Sequence, residues 1–179
     1  MGLTTHQLGR IGETECAKHI MIGSRGLVAT FTPEIDDEQR DIEAHLRDEV
    51  SPGIAIQCKV SSRLIRPKRA YQLPIRWKTP KRAVFSHKRF WYFLAHFDVK
   101  TRMFTDPVFL VPSDVINAFA NYRNVDGSAI FELEASMDPR SRDMWSPYRL
   151  PARELGHRVL EIIRELNAGR FRPASLIAA

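Results

Sequence analysis

Four side chains in the first third of the chain have the types and spacing for phosphate and metal chemistry: Glu13, Asp41, Gln57 and Lys59. An aspartate, a second oxygen acceptor two residues before a lysine, and the lysine itself can hold a hard divalent cation beside a water and a phosphate oxygen. The cation would take the oxygens. The ammonium, a compact charge on a movable stem, would meet the water or the phosphate. As a bare pattern D-x15-Q-x-K is weak, because it arises by chance in many proteins. Its force depends on whether the surrounding elements turn these groups to one place.

The helix that must carry Glu13 is predicted over Thr5 to Ile22 and closes at Gly23. On a wheel of about 3.6 residues per turn, Gly9, Gly12, Cys16, Ala17 and Ile20 form one stripe with Glu13 near its middle. Two glycines inside a helix weaken it by roughly 1 kcal/mol each relative to Ala, so close approach of another backbone to that face is expected. A carboxylate there is costly unless something cationic meets it. Asp41 to Leu46 alternates, with Asp41, Glu43 and His45 on one side and Ile42, Ala44 and Leu46 on the other. After the turn SPG, Ile54 to Val60 alternates as well. Its residues Ile54, Ile56, Cys58 and Val60 face one way, and Ala55, Gln57 and Lys59 the other. The two strands read as a hairpin offering polar groups on one face.

Charge is distributed unevenly. Residues 1–58 carry 5 basic and 10 acidic side chains, residues 59–102 carry 13 and 1, and residues 103–179 carry 9 and 10. The central block holds Arg63, Arg66, Lys68, Arg69, Arg76, Lys78, Lys81, Arg82, Lys88 and Arg89. Such a block suits contact with a phosphate backbone; the alternative is a solvated loop. With 179 residues, 44% hydrophobic and 27% charged, the chain can bury a core, which disfavours disordered and low-complexity classes. A single domain over 1–170 with a loose tail over 171–179 is expected. The apolar runs are too short for a membrane span and the first residues lack a signal peptide's apolar segment, so a cytoplasmic protein without membrane attachment is expected. Cys16 and Cys58 form no CxxC pair, and the six histidines show no HxH or HxxxH spacing.

Further along, strands are predicted over Leu27 to Thr32, Phe90 to Val99, Val108 to Val111 and around Phe131, with PEIDDEQ as an acidic turn. Ser113 is expected to cap a helix carrying Val115, Ile116 and Phe119, and Pro151 to open a final amphipathic helix ended by Gly169. Trp77, Phe85 and the FWYF run from Phe90 to Phe93 could stack on bases, although strand packing explains the run better. Arg142, Asp143, Trp145 and Arg149 read as a clasp or a partner surface.

The order helix Glu, then Asp, then hairpin, then Q-x-K resembles the PD-(D/E)xK nucleases, the restriction-endonuclease-like superfamily. The likeness is closer still to a bacterial domain-of-unknown-function branch with a Q-x-K motif. The matching text here is GRIGE, DDEQRD, IQCKVSS, FLVPS and SRDMWSPYR. Two positions depart from the pattern: Gln39 stands where a turn glycine is usual, and Gln57 replaces the commoner Glu or Asp. The resemblance implies an α/β restriction-endonuclease-like core, a central mixed sheet flanked by helices. It also implies an endodeoxyribonuclease using Mg²⁺ or Mn²⁺ in restriction, repair or defence, with Asp41, Gln57 and Glu13 on the metal, Lys59 beside the attacking water and the basic block along DNA. It admits a homodimer or a larger defence complex. The alternative is a catalytically degenerate module of the same fold that binds nucleic acid or an acidic protein partner. Glu43, on the strand face of Asp41, could restore the charge that Gln57 lacks, or be a solvated edge residue.

Overall fold

The computed structural model describes residues 2–33, 40–67, 70–84 and 86–171, and within them the side chains of all but residues 121, 122, 124 and 125. Most of the PEIDDEQ turn including Gln39, with Lys68, Arg69, Phe85 and residues 172–179, lies outside that description. The elements run α1 (Thr5–Gly23), β1 (Val28–Phe31), β2 (Ile42–Leu46), β3 (Ile54–Ser61), β4 (Gln72–Pro80), β5 (Phe90–Asp98), β6 (Met103–Pro112), α2 (Ser113–Phe119), β7 (Asn121–Val125), β8 (Ser128–Ser136), β9 (Arg149–Leu150) and α3 (Leu155–Asn167). A six-stranded sheet has the order β1-β2-β3-β5-β6-β9, and a three-stranded sheet the order β4-β8-β7. The larger sheet is mixed: β3 and β5 are parallel, and its other neighbours antiparallel.

Strand alternation sorts the side chains into two cores. On one face Ile42, Ile54, Ile56, Cys58, Trp91, Phe93 and Leu110 pack under α1 and α3 with Cys16, Ile20, Leu155, Val159 and Ile163. On the other, Phe90, Tyr92, Leu94 and Phe109 meet Leu73, Ile75, Trp77, Phe131 and Leu133 of the smaller sheet. Removing a side chain such as Phe93 or Phe109 from water contributes roughly 1.5–3 kcal/mol, so both cores hold the larger sheet in place. The FWYF run is therefore interior on both faces, and Trp77 stacks on Phe131 at 4.7 Å rather than presenting itself to a base.

A capping box starts α1: the Gln7 amide donates to the Thr4 hydroxyl, and the Thr4 amide donates to Gln7 Oε1. Its buried residues are Leu8, Gly12, Cys16 and Ile20. Of the two mid-helix glycines only Gly12 has a steric reason, since a Cβ there would lie 2.4 Å from Val60 Cγ2 on β3. The second tight approach comes from α3, where a Cβ on Gly156 would lie 2.2 Å from the Ile20 carbonyl oxygen.

Three expectations need correction. The basic block is not a loop throughout: residues 72–80 form β4, with Leu73, Ile75, Trp77 and Thr79 inward and Arg76 and Lys78 outward. Ser113 is the first residue of α2, after Pro112 as its cap, and its buried hydroxyl donates to the His87 carbonyl and accepts from the His87 amide, both at 3.0 Å. Phe171, expected in the tail, packs edge-on against Trp91 at 5.6 Å. The Arg142 to Arg149 segment is a clasp. Asp143 accepts the Ser136 amide at 2.7 Å and pairs with Arg149 at 3.2 Å, while Trp145 and Tyr148 are buried.

Candidate active site

The hairpin that carries Asp41, Gln57 and Lys59 is set by its apolar faces. Ile42 lies opposite Ile56, and Ala44 opposite Ile54, all buried toward the helices. That pairing turns Glu43, His45, Ala55, Gln57 and Lys59 to the other face, because strand residues alternate. At the mouth of β2 the Asp41 amide donates to the Ile56 carbonyl at 3.1 Å, and Asp41 Oδ2 accepts the Cys58 amide at 2.6 Å. A side-chain carboxylate thus serves as acceptor for a β3 amide where the two strands part. A charge-assisted bond of this kind fixes the carboxylate beside Gln57 and Lys59.

Gln57 is 3% exposed and sits in register with Tyr92 on β5. Lys59 is half-buried, in register with Leu94, and no described residue is hydrogen-bonded or ion-paired to its ammonium. Glu13 approaches from α1, three residues before Cys16, with its side chain 19% exposed and held by Arg10 at 2.9 Å. The Cys58 thiol reports both carboxylates. Burial pushes it well up, a hydrogen bond with Cys16 adds to this, and the charges of Asp41 and Glu13 raise it further. Asp41 also reaches the sheet's other face, where burial first and its charge second push the Tyr92 phenol up to about 12.

Glu43 is engaged elsewhere, with Arg40 at 3.2 Å and His45 at 3.6 Å. This trio lines a cavity of about 350 Å³ with Gly53, Ala55 and Phe90, one residue pair along the hairpin from Asp41. Of the basic block, Arg63, Arg66, Lys78, Lys81, Arg82 and Lys88 are exposed. Arg66 stands 5.3 Å from the Tyr71 ring. Arg76 and Arg123 share the Glu132 carboxylate, at 3.0 and 2.6 Å. Arg89 is turned inward instead: its guanidinium donates to the Pro52 and Gly53 carbonyls and to Asn167 Oδ1, tying the hairpin turn to the end of α3.

From the sequence Tyr92 reads as a strand-packing residue or a base-stacking one, not as a neighbour of Gln57. Its place beside Gln57 depends on the β3–β5 pairing, which joins residues far apart in the chain and leaves no mark in the local pattern.

The donor set of Glu13, Asp41 and Gln57 consists of hard oxygens, the type that suits Mg²⁺ or Mn²⁺. Asp41 is joined to β3 at Cys58, next to Gln57, whereas Glu13 comes from α1, which packs on the sheet face from which Gln57 is turned away. Among the described residues no three His, Cys, Asp or Glu side chains gather as metal ligands. The architecture is an α/β fold whose mixed central sheet is flanked by helices and carries the polar β2–β3 hairpin one strand in from its β1 edge. Among solved structures the chain is similar to the bacterial homing endonuclease I-Ssp6803I, with a TM-score of 0.58 and 16% identity over 94% of this chain and 99% of that one. That likeness is one of fold. No family model and no curated protein sequence matches the chain. Among the described residues no helix is long and apolar enough to cross a membrane.

Proposed function

We propose that the chain is a nuclease of the PD-(D/E)xK type that hydrolyses phosphodiester bonds in DNA with Mg²⁺ or Mn²⁺. The observation that carries this is the Asp41 carboxylate anchored on the Cys58 amide, at the end of the hairpin that turns Gln57 and Lys59 to Asp41's side. The fold shared with a homing endonuclease supports the same reading. Asp41, Gln57 and Glu13 would hold the cation. When bound, it supplies a lowered pKa to water and electrostatic stabilisation at the phosphoryl group.

The remaining roles belong to the chain itself. Lys59, with no described partner, is available to orient the attacking water, hold its proton or neutralise phosphate oxygens. Gln57 presents a neutral oxygen, so the site carries one negative charge fewer than with a carboxylate. The exposed basic residues from Arg63 to Lys88 would follow the backbone, with salt-sensitive affinity that depends little on sequence. Restriction, repair or defence against foreign DNA are the settings that fit, in a homodimer or a larger complex.

One observation favours the second reading, a binding module that has lost cleavage. Glu43 does not restore the charge missing at Gln57, because Arg40 and His45 engage it. Plasmid incubated with Mg²⁺ or Mn²⁺ separates the two. Cleavage by the wild type that disappears in Asp41→Ala and Lys59→Ala supports the nuclease. Cleavage retained by both variants rejects the site assignment, and salt-sensitive binding without cleavage favours the module.

A further inference from the structure

The phenol of Tyr92 is a polar group without an assigned purpose in a wall otherwise built for packing. Its ring is fixed by Trp77 at 5.5 Å and Phe90 at 5.2 Å, and the residue is 3% exposed. A buried tyrosine ordinarily finds a partner for its hydroxyl. Among the described residues this one has none, yet its oxygen is not one of the side-chain polar atoms shut away from solvent without a partner. The hydroxyl therefore opens onto a space that water reaches.

That space is at the candidate site. Parallel register puts Tyr92 beside Gln57 on the same sheet face, at the roughly 4.8 Å spacing of paired strands. Asp41 lies close enough for its charge to act on the phenol. Lys59 comes two residues further along β3 on the same face, so Gln57 stands at the corner between the phenol and the ammonium.

We infer that Tyr92 is a substrate-contacting residue of this site, its hydroxyl donating a hydrogen bond to a non-bridging phosphate oxygen of the nucleic acid. The inference rests on the nuclease reading above. A preorganised donor beside a phosphorus that gains equatorial charge acts mainly in the transition state, as other fixed donors do. Packing by Trp77 and Phe90 means that no side-chain ordering is needed on binding.

The test compares wild type, Tyr92→Phe and Tyr148→Phe in single-turnover cleavage of a DNA duplex with Mn²⁺, in duplex affinity with Ca²⁺, and in thermal melting. Tyr148 is a buried tyrosine of the same core and serves as the packing control. Tyr92→Phe should slow cleavage by about tenfold or more, while affinity changes by less than about threefold and melting stays near wild type. Tyr148→Phe should cleave at the wild-type rate. If Tyr92→Phe cleaves as fast as wild type while Asp41→Ala is dead, the inference falls and the nuclease reading stands. A wild type that neither cleaves nor binds the duplex overturns both. A slow Tyr92→Phe whose melting temperature drops with its rate also overturns the role.

Discussion

Gly12→Ala tests the packing that brings the Glu13 helix to the sheet. A Cβ at residue 12 would sit 2.4 Å from Val60 Cγ2 and 3.0 Å from Val60 Cβ, whereas carbons in contact rest at about 3.5–4.0 Å. Either α1 withdraws by about 1 Å or Val60 turns, and a β-branched side chain on a strand turns poorly. Overpacking of this kind costs about 1–3 kcal/mol, and so large a shortfall belongs at the upper end. Replacing a mid-helix glycine returns about 1 kcal/mol of propensity. The net loss is about 2 kcal/mol, or a melting temperature about 4–8 °C lower for a chain of this size. Urea unfolding checks the first figure and calorimetry the second. Adding Val60→Ala removes the clashing Cγ2 methyl, so the double variant should be more stable than the sum of the single effects by at least about 1 kcal/mol. A Gly12→Ala protein as stable as wild type, or one with additive effects, would refute the close contact of α1 with β3.

Three further outcomes follow from other parts of the fold. Asp143→Ala leaves the Ser136 amide without its acceptor and the half-buried Arg149 with the Asp138 carbonyl but no paired charge, so stability should fall by about 1–3 kcal/mol in urea titration, and Arg142→Ala should not matter. Cys16 and Cys58 are buried and the Cys58 thiol is raised, so neither should react with iodoacetamide at pH 8 until denaturant unfolds the chain. Burial lowers the His96 pKa, so the unfolded chain binds that proton first on acidification. Stability should therefore fall as pH drops from about 6.5 through the lower folded value, and His96→Gln should flatten the urea midpoint over that window.

The hairpin was legible because an apolar row of Ile42, Ala44, Ile54 and Ile56 alternates with mostly polar residues and so fixes which way Gln57 and Lys59 must point. β4 was hidden for a physical reason. Arg76 and Lys78 on its outer face, with Pro74 inside it, read as a basic loop, although Leu73, Ile75 and Trp77 alternate beneath them. Pairing with β8 from Gln72 to Pro80 gives that segment its ladder, and no local pattern announces a partner strand so distant in the chain. The same holds for Tyr92 beside Gln57 and for Arg89, whose charge suggested a phosphate contact but whose guanidinium closes the turn at Pro52 and Gly53. Ser113 followed the usual cap composition, yet its hydroxyl is used across the fold by His87.

The central claim is that oxygens from α1, β3 and the mouth of β2 hold one divalent ion. Mn²⁺ titration followed by electron paramagnetic resonance measures this without cleavage or DNA. The account predicts one Mn²⁺ per chain in the wild type and in Lys59→Ala, lost in Asp41→Ala and weakened in Glu13→Ala and Gln57→Ala. Asp41→Ala binding Mn²⁺ as the wild type does would contradict it.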